Sequence, residues 1–289
     1  MYKLETINIS NFNYINKFNI TKEYRDELFE ICSNKNIFKK FLLGKNIKFI
    51  KTNKQYIGFM WFSKIHYQNY KIHCIRILPE YDSPIHYKNL FKFFSINSAI
   101  TIGYNNNLQK DILINEGFRV SKTIVEMKKE FNKLDLFKDY PSEITFRIFR
   151  DGLDEKQRCN IQNEVFNSVN RQSIDEDDIH YEKYQSHYIP SGCVFINNGI
   201  NDIGYGQLIK KDDKIYIANF GILKNYRGHG YGNLLLKYLL EIGKNLNVKE
   251  IYLRCDKSNV EALNLYLSNG FEIINTYYEY EYQKKEIKE

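Results

Sequence analysis

The sequence predicts an α/β (α+β) protein made of two tandem copies of one unit, each a mixed, mostly antiparallel sheet flanked by helices. Three observations lead there. Short runs such as EITFRIFR (143–150) and KIYIANFGIL (214–223) alternate apolar and polar residues between polar turns, as half-buried strands do. The stretch NLLLKYLLEIGKNL (233–246) repeats its apolar residues at helical spacing. The two halves also end alike: ILINEGFRVSKTIVEMKKEF (112–131) resembles LYLSNGFEIINTYYEYEYQ (265–283).

In the first half, the pattern gives helices near 22–33 and 36–43 and strands at 47–52, 56–63 and 70–78. A helix near 86–95, a strand at 98–103, a helix at 107–116 and a strand pair within 118–131 follow. Residues 132–143, with Pro141, read as a junction. The expected domains are therefore 1–131 and 144–289, joined by 132–143.

The second half opens with the strand 143–150 and a helix over 154–168. QSIDEDDIHYEKY (172–184) presents Ser173 with Glu176 three residues on, the pattern of a capping box. Strands follow at 192–197, 203–210 and 214–223, separated by the turns NGIN and KDDK, which suggests an antiparallel meander. In the helix 233–246, Leu235, Leu239, Ile242 and Leu246 form a buried stripe. A strand at 250–255 and a helix at 259–270, stopped by Gly270, come next. Strands FEII and TYYEYEYQ close the half.

Bulk properties narrow the function classes. With 289 residues and 43% hydrophobic residues, the chain can bury a full core. The net charge of +7 is spread in short alternations, so it favours an anionic ligand without establishing nucleic-acid binding. Five scattered cysteines read as reduced, buried thiols of a cytoplasmic protein. No apolar signal core, no run of about 18 apolar residues and no metal-ligand spacing among the six histidines is seen. No membrane span and no metal are expected.

The residues that point to chemistry are ILKNYRGHGYGN, 222–233. A strand, a glycine-rich turn and a long helix follow one another. The first turn of a helix has main-chain N–H groups without intrahelical partners, and the helix dipole makes that end positive. Glycines let the chain form a concave nest that an anion can approach. Arg227 followed by Gly228, Gly230 and Gly232 suits a pyrophosphate, held by the amides of 228–232, including those of His229 and Tyr231. The alternative is a strand-to-helix connection with glycines for tight packing. A dinucleotide-binding turn fits less well, because the preceding strand reads as antiparallel. A Walker loop is excluded, since no Gly-Lys-Ser/Thr is present.

On these residues the chain resembles the GNAT family of N-acetyltransferases. Ile222 to Gly232 matches the family's acyl-CoA signature, and NVEALNLYLSNGF (259–271) matches its Asn-x-x-Ala-x-x-Leu-Tyr-x-x-x-Gly-Phe helix. The resemblance is strong over about 144–283 and architectural over 1–131, so two tandem GNAT-like domains are implied, the first degenerate. It implies acetyl-CoA as cosubstrate and an amine as acceptor, with the active site in the second domain. The pantetheine arm would lie between strands 214–223 and 250–255, along Phe220, Ile222 and Leu223, with an amide near Ile222 polarising the thioester carbonyl. Asn259 would contact CoA, and Tyr266 would protonate the departing thiolate. Where some members carry a glutamate, this chain has Tyr216, with Asn219 nearby. Neither is a good base at neutral pH, so a relayed water or a partly neutral amine is implied.

Asp175 to Asp178 could attract a cationic amine, although acids at a helix N-terminus are favoured anyway. In the first half, Asp82 falls opposite Arg227, while Ser83, Ile85 and Tyr87 fall opposite the three glycines. Pro84 stands opposite His229 and offers no N–H, and Leu113 stands opposite Tyr266. The first half is thus expected not to bind CoA in this way. The competing reading is a non-catalytic acyl-CoA sensor. The acceptor amine and the oligomeric state stay open.

Overall fold

The computed structural model describes residues 2–8, 10–18, 46–52, 55–66, 68–95, 98–104, 107–132, 140–167 and 173–283. The helices expected near 22–33 and 36–43 lie outside the described residues, as does most of the junction 132–143. The chain forms two compact units, 1–123 with 277–289, and 124–276.

The first unit contains strands β1 (Lys3–Thr6), β2 (Ile47–Lys51), β3 (Tyr56–His66), β4 (Asn69–Ile77) and β5 (Ala99–Tyr104), with helices α1 (Pro84–Phe91) and α2 (Asn107–Asn115). Strand β6 (Arg119–Glu130) begins in this unit and ends in the other. β1 to β4 pair antiparallel in sequence order, and β5 lies parallel to β4. A cluster of Ile50, Met60, Ile75, Tyr87, Leu90 and Phe118 packs one face against α1.

The second unit contains β7 (Thr145–Ile148), α3 (Glu155–Val165), α4 (Glu176–Glu182), β8 (Tyr188–Asn197), β9 (Asp202–Lys211), β10 (Lys214–Ile222), α5 (Tyr231–Asn245), β11 (Glu250–Asp256) and α6 (Val260–Ser268). β7 to β10 form the antiparallel meander, and β11 lies parallel to β10. The expected stripe holds at Leu235 and Leu239 but not to its end: Ile242 is only partly buried and Leu246, at the last turn, is exposed. Leu235, Leu236, Leu239 and Leu240 are fully buried against Val194, Ile217, Ile251 and Leu253. Alternate residues of the same strands face the other way, so Cys193, Phe195 and Tyr205 pack with Cys159 and Ile161 of α3 and Ile179 of α4.

The two units share one strand sequence with one exchange. In each, four antiparallel strands lead to a parallel fifth. The sixth comes from the other half of the chain: residues 277–283 of β12 (Glu272–Gln283) pair with β5, and residues 124–130 of β6 pair with β11. These are the two segments whose sequences match.

Three local expectations are corrected. Residues 119–130 form one strand, not a pair, and 272–283 form one strand instead of two. In both, an unbroken main-chain ladder needs no turn. The cap of α4 is Asp175, not Ser173. The Asp175 side chain accepts from the Asp178 N–H at 3.0 Å and the Asp178 side chain accepts from the Asp175 N–H at 3.1 Å, two residues later than the Ser173–Glu176 pattern implied. Aspartate caps as well as serine does, so several registers were open to this acidic run. The four described cysteines, Cys74, Cys159, Cys193 and Cys255, are buried and free. Among the described residues, no helix is long and apolar enough to cross a membrane.

Candidate active site

β10 and β11 pair only at Tyr216–Tyr252 and Ile217–Leu253. Beyond that point each strand continues without the other, so their facing edges part. A bulge on β10 lies at the parting. Asn219 and Phe220 stand opposite Gly206 alone, and Asn219 takes a positive φ of 47°, which asparagine tolerates better than most residues. Farther on, the Leu223 N–H donates to the Ile203 carbonyl on β9. By strand alternation the main-chain groups of Ile222 then face the parted edge. Gly221 is needed here for space, since a Cβ would lie 2.2 Å from Val165 Cγ1 at the end of α3.

The chain next makes a short 3-10 turn, Lys224–Tyr226, and enters α5 through the glycines. Gly228 and Gly230 have φ of 82° and 83°, in the left-handed region, and a Cβ on either would meet nothing within 4 Å. Tight packing is therefore not what they provide. They turn the chain so that the amides of 228–232 lie at the open start of α5. Asn233 and Leu234 donate to the Gly230 carbonyl, whereas among the described residues the amides of 228–232 have no hydrogen-bond partner. Gly232 sits 3.6 Å from Leu265 and 3.9 Å from Ile222, measured from an added Cβ, which brings α6 against the loop.

Arg227 is placed differently from a side chain aimed at the loop's mouth. Its Nε donates to the Ile222 carbonyl at 2.9 Å, and one terminal nitrogen reaches the Val165 carbonyl at 3.5 Å. It ties the strand end to the loop. His229 folds back, with Nδ1 2.9 Å from the Arg227 carbonyl, and its ring stacks beside Tyr231. Asn259 is the cap of α6: its side-chain oxygen accepts from the Ala262 N–H at 3.1 Å, and the residue is exposed.

Tyr266 projects from α6 into the region of the split. Its ring lies 6.0 Å from Phe220 of the bulge and 5.9 Å from Phe271. It is nearly buried, and burial, with Cys255 of β11 adding to it, pushes the phenol well above its ordinary pKa. It therefore keeps its proton throughout the neutral range.

Tyr216 brings in residues that the sequence reading missed. Its hydroxyl donates to Glu126 Oε1 at 3.0 Å, and Arg254 Nε and Nη2 approach the same oxygen at 3.0 and 2.9 Å. Glu126 stands between Val125 and Met127 on β6, opposite Arg254 in the ladder. The available signal was a lone carboxylate inside an apolar alternation; nothing local says which strand it will pair with.

Folding also assembles Asp151, Glu155 and His180, whose ligand atoms lie within 4.8 Å of one another, although the histidine spacing gave no hint of it. Asp151 is already paired with Lys183 at 2.7 Å, and Glu155 accepts from the Gly152 N–H at 2.6 Å. In the first unit, the turn equivalent to the glycine loop is closed by its own side chains. Tyr87 donates to Asp82 at 2.9 Å, buried His86 lies 3.0 Å from the Ser83 hydroxyl, and Leu113 is core.

Comparison with known proteins agrees with this geometry. Residues 159–271 match the model of the acetyltransferase (GNAT) family. N-alpha-acetyltransferase 50 of Danio rerio is 36% identical over 83 residues, covering 26% of this chain and 49% of that protein. A probable spermine N(1)-acetyltransferase of Bacillus subtilis subsp. natto (strain BEST195) is 28% identical over 92 residues, covering 30% and 60%. The chain thus spans between about half and three-fifths of the length of the curated relatives it matches. A crystal structure of a GCN5-related N-acetyltransferase from Sphaerobacter thermophilus superposes with a TM-score of 0.73 at 14% identity, covering 99% of this chain and 96% of that one. A tandem GNAT protein from the clavulanic acid biosynthesis pathway gives 0.60 at 10% identity, with 83% of each chain covered. At such identities these structures speak for the fold alone. With the split strands, the glycine loop and the family match falling on the same stretch, residues 159–271 belong to the acetyltransferase (GNAT) family.

Proposed function

We propose that the second unit is an acetyl-CoA-dependent N-acetyltransferase, acting by direct attack of an amine on the thioester. The observation that carries this is the parted β10–β11 edge leading into five amides that have no hydrogen-bond partner among the described residues. An extended pantetheine arm can add to such an edge as a strand does, while the pyrophosphate takes the amides of 228–232. The Ile222 amide, facing the split, suits the thioester carbonyl and the negative charge it develops.

The amine nitrogen forms a bond to the acetyl carbon, and the carbon–sulfur bond then breaks. Tyr266, protonated at neutral pH, is suited to give its proton to the departing thiolate. Arg227 acts by holding the loop against the strand end, and its positive charge still favours the phosphates. Asn259 orients α6 through its cap and leaves its amide nitrogen for the cosubstrate. Tyr216 and Asn219 lie at the parting, on the route of the amine. The first unit, with Asp82 at its turn and Leu113 in place of Tyr266, is read as a supporting copy. The domain division at 132–143 and a cytoplasmic location belong to the same proposal.

Calorimetric titration with acetyl-CoA, followed by thiol release against a panel of spermine, peptides with free α-amines and lysine peptides, tests this. Binding with turnover is expected. Binding without turnover would make the protein an acyl-CoA sensor, and no binding would end the reading.

A further inference from the structure

The sheet of the second unit is completed by residues 124–130, a segment that the repeat in the sequence assigns to the first half of the chain. Their contribution is more than an edge. Val125 and Met127 join the core on the α5 side, and alternation turns Glu126 to the opposite face. That face also receives Tyr216 from β10 and Arg254 from β11. Tyr216 belongs to the last residues that hold β10 and β11 together, and Arg254 is the first β11 residue beyond them. The three side chains therefore meet where the strands part. Glu126 is buried, while the side chain of Arg254 is 40% exposed, so the group opens to solvent at its Tyr216–Arg254 end. Among the described residues, this face also carries Lys128 and Glu130 on β6, Glu250, Tyr252 and Asp256 on β11, Lys214 on β10 and Lys211 on β9; Lys214 Nζ lies 4.5 Å from the Tyr252 ring centre, and Lys128 also pairs with Glu130 at 2.6 Å. Lys128 and Glu250 are paired at 3.2 Å, and Tyr252 is hydrogen-bonded to Glu250.

We infer that Glu126 is a positioning residue for the acceptor amine, acting through the Tyr216 phenol. This rests on the transferase reading above and deepens it. An amine arrives mostly as the ammonium ion and must lose one proton before it attacks. Tyr216 alone is a poor acceptor for that proton. With its hydroxyl donating to a carboxylate, the phenol oxygen takes the ammonium proton as its own proton passes to Glu126. The products are a neutral amine, a neutral phenol and a carboxylic acid. Glu126 then returns its proton to solvent past exposed Arg254. Arg254, whose Nε and Nη2 sit 3.0 and 2.9 Å from the same Glu126 oxygen, holds the carboxylate toward the Tyr216 hydroxyl.

The test uses the full chain, acetyl-CoA and whichever amine of the panel the wild type acetylates. Glu126→Gln keeps the size and a hydrogen-bond acceptor but removes the charge. Its acetyl-CoA Kd should match wild type, and kcat/KM near pH 7 should fall by about 10²-fold. The loss should shrink steadily as pH rises toward the amine's own pKa, about 10 for a lysine-type amine. Tyr216→Phe, which leaves the Glu126–Arg254 pair in place, should show the same pH-dependent loss. The double variant should be no worse than either single one, because the two act as one path. A loss that is equal at all pH values in Tyr216→Phe, or no loss in a folded Glu126→Gln, overturns the inference while leaving the transferase reading intact. A wild type that binds acetyl-CoA and acetylates no amine overturns both.

Discussion

Gly230→Ala separates an anion-binding loop from a merely flexible one. Gly230 has φ of 83° and ψ of −4° and caps α5. An alanine held there costs about 1–2 kcal/mol in backbone energy. No steric cost is added in the free protein, because nothing lies within 4 Å of the new Cβ. For a unit of this size, 1 kcal/mol corresponds to a drop in Tm of about 2–4 °C. If phosphate oxygens occupy the amides of 228–232, the same methyl group enters their space and the loop can no longer close on them. Acetyl-CoA affinity should then fall by at least tenfold, about 1.4 kcal/mol, at a temperature where the variant is fully folded. Calorimetry with acetyl-CoA, paired with a thermal melt, reads both quantities. A variant that melts lower but binds acetyl-CoA as wild type does would refute the assignment of these amides to the cosubstrate.

Three further outcomes are expected. Tyr266→Phe should bind acetyl-CoA normally and transfer acetyl groups about 10²-fold more slowly; equal turnover would remove Tyr266 as the acid. Residues 144–289 expressed alone lack 124–130 and leave the β11 edge unpaired, so circular dichroism should show no cooperative melt, whereas the full chain melts cooperatively. Asp154 has its pKa lowered: burial pushes it up, but hydrogen bonds from Arg150 and Arg147 outweigh that. A depressed carboxylate stabilises the fold above its unfolded pKa, about 3.9, and that stability is lost as pH falls through the native value. Asp154→Asn should lower Tm at pH 7 and narrow the gap to wild type in acid; an equal gap at both pH values would count against the ion pairs.

The comparison of sequence with structure divides along physical lines. The leucine period of α5, the meander of β8 to β10 and the glycine loop were legible because each is written within one or two turns of chain. The cap of α4 was misplaced within an acidic run in which more than one residue can cap. Arg227 could be placed in the loop from sequence, but its bonds to the Ile222 and Val165 carbonyls depend on α3 packing over Gly221. Glu126 went unnoticed because its partner Tyr216 is 90 residues away.

By itself, then, the sequence determined most of the succession of strands and helices among the described residues, the glycine loop, and the residue types near it, since periodicity and glycine conformation act locally. Only the tertiary structure decided that β6 ends in the sheet of the second unit, that β12 ends in the sheet of the first, and that β10 and β11 part after Ile217. Every strand edge offers the same row of N–H and C=O groups, so which edges pair is settled by packing across the whole unit. That choice of edges brings a carboxylate from the first half to the parting of strands in the second.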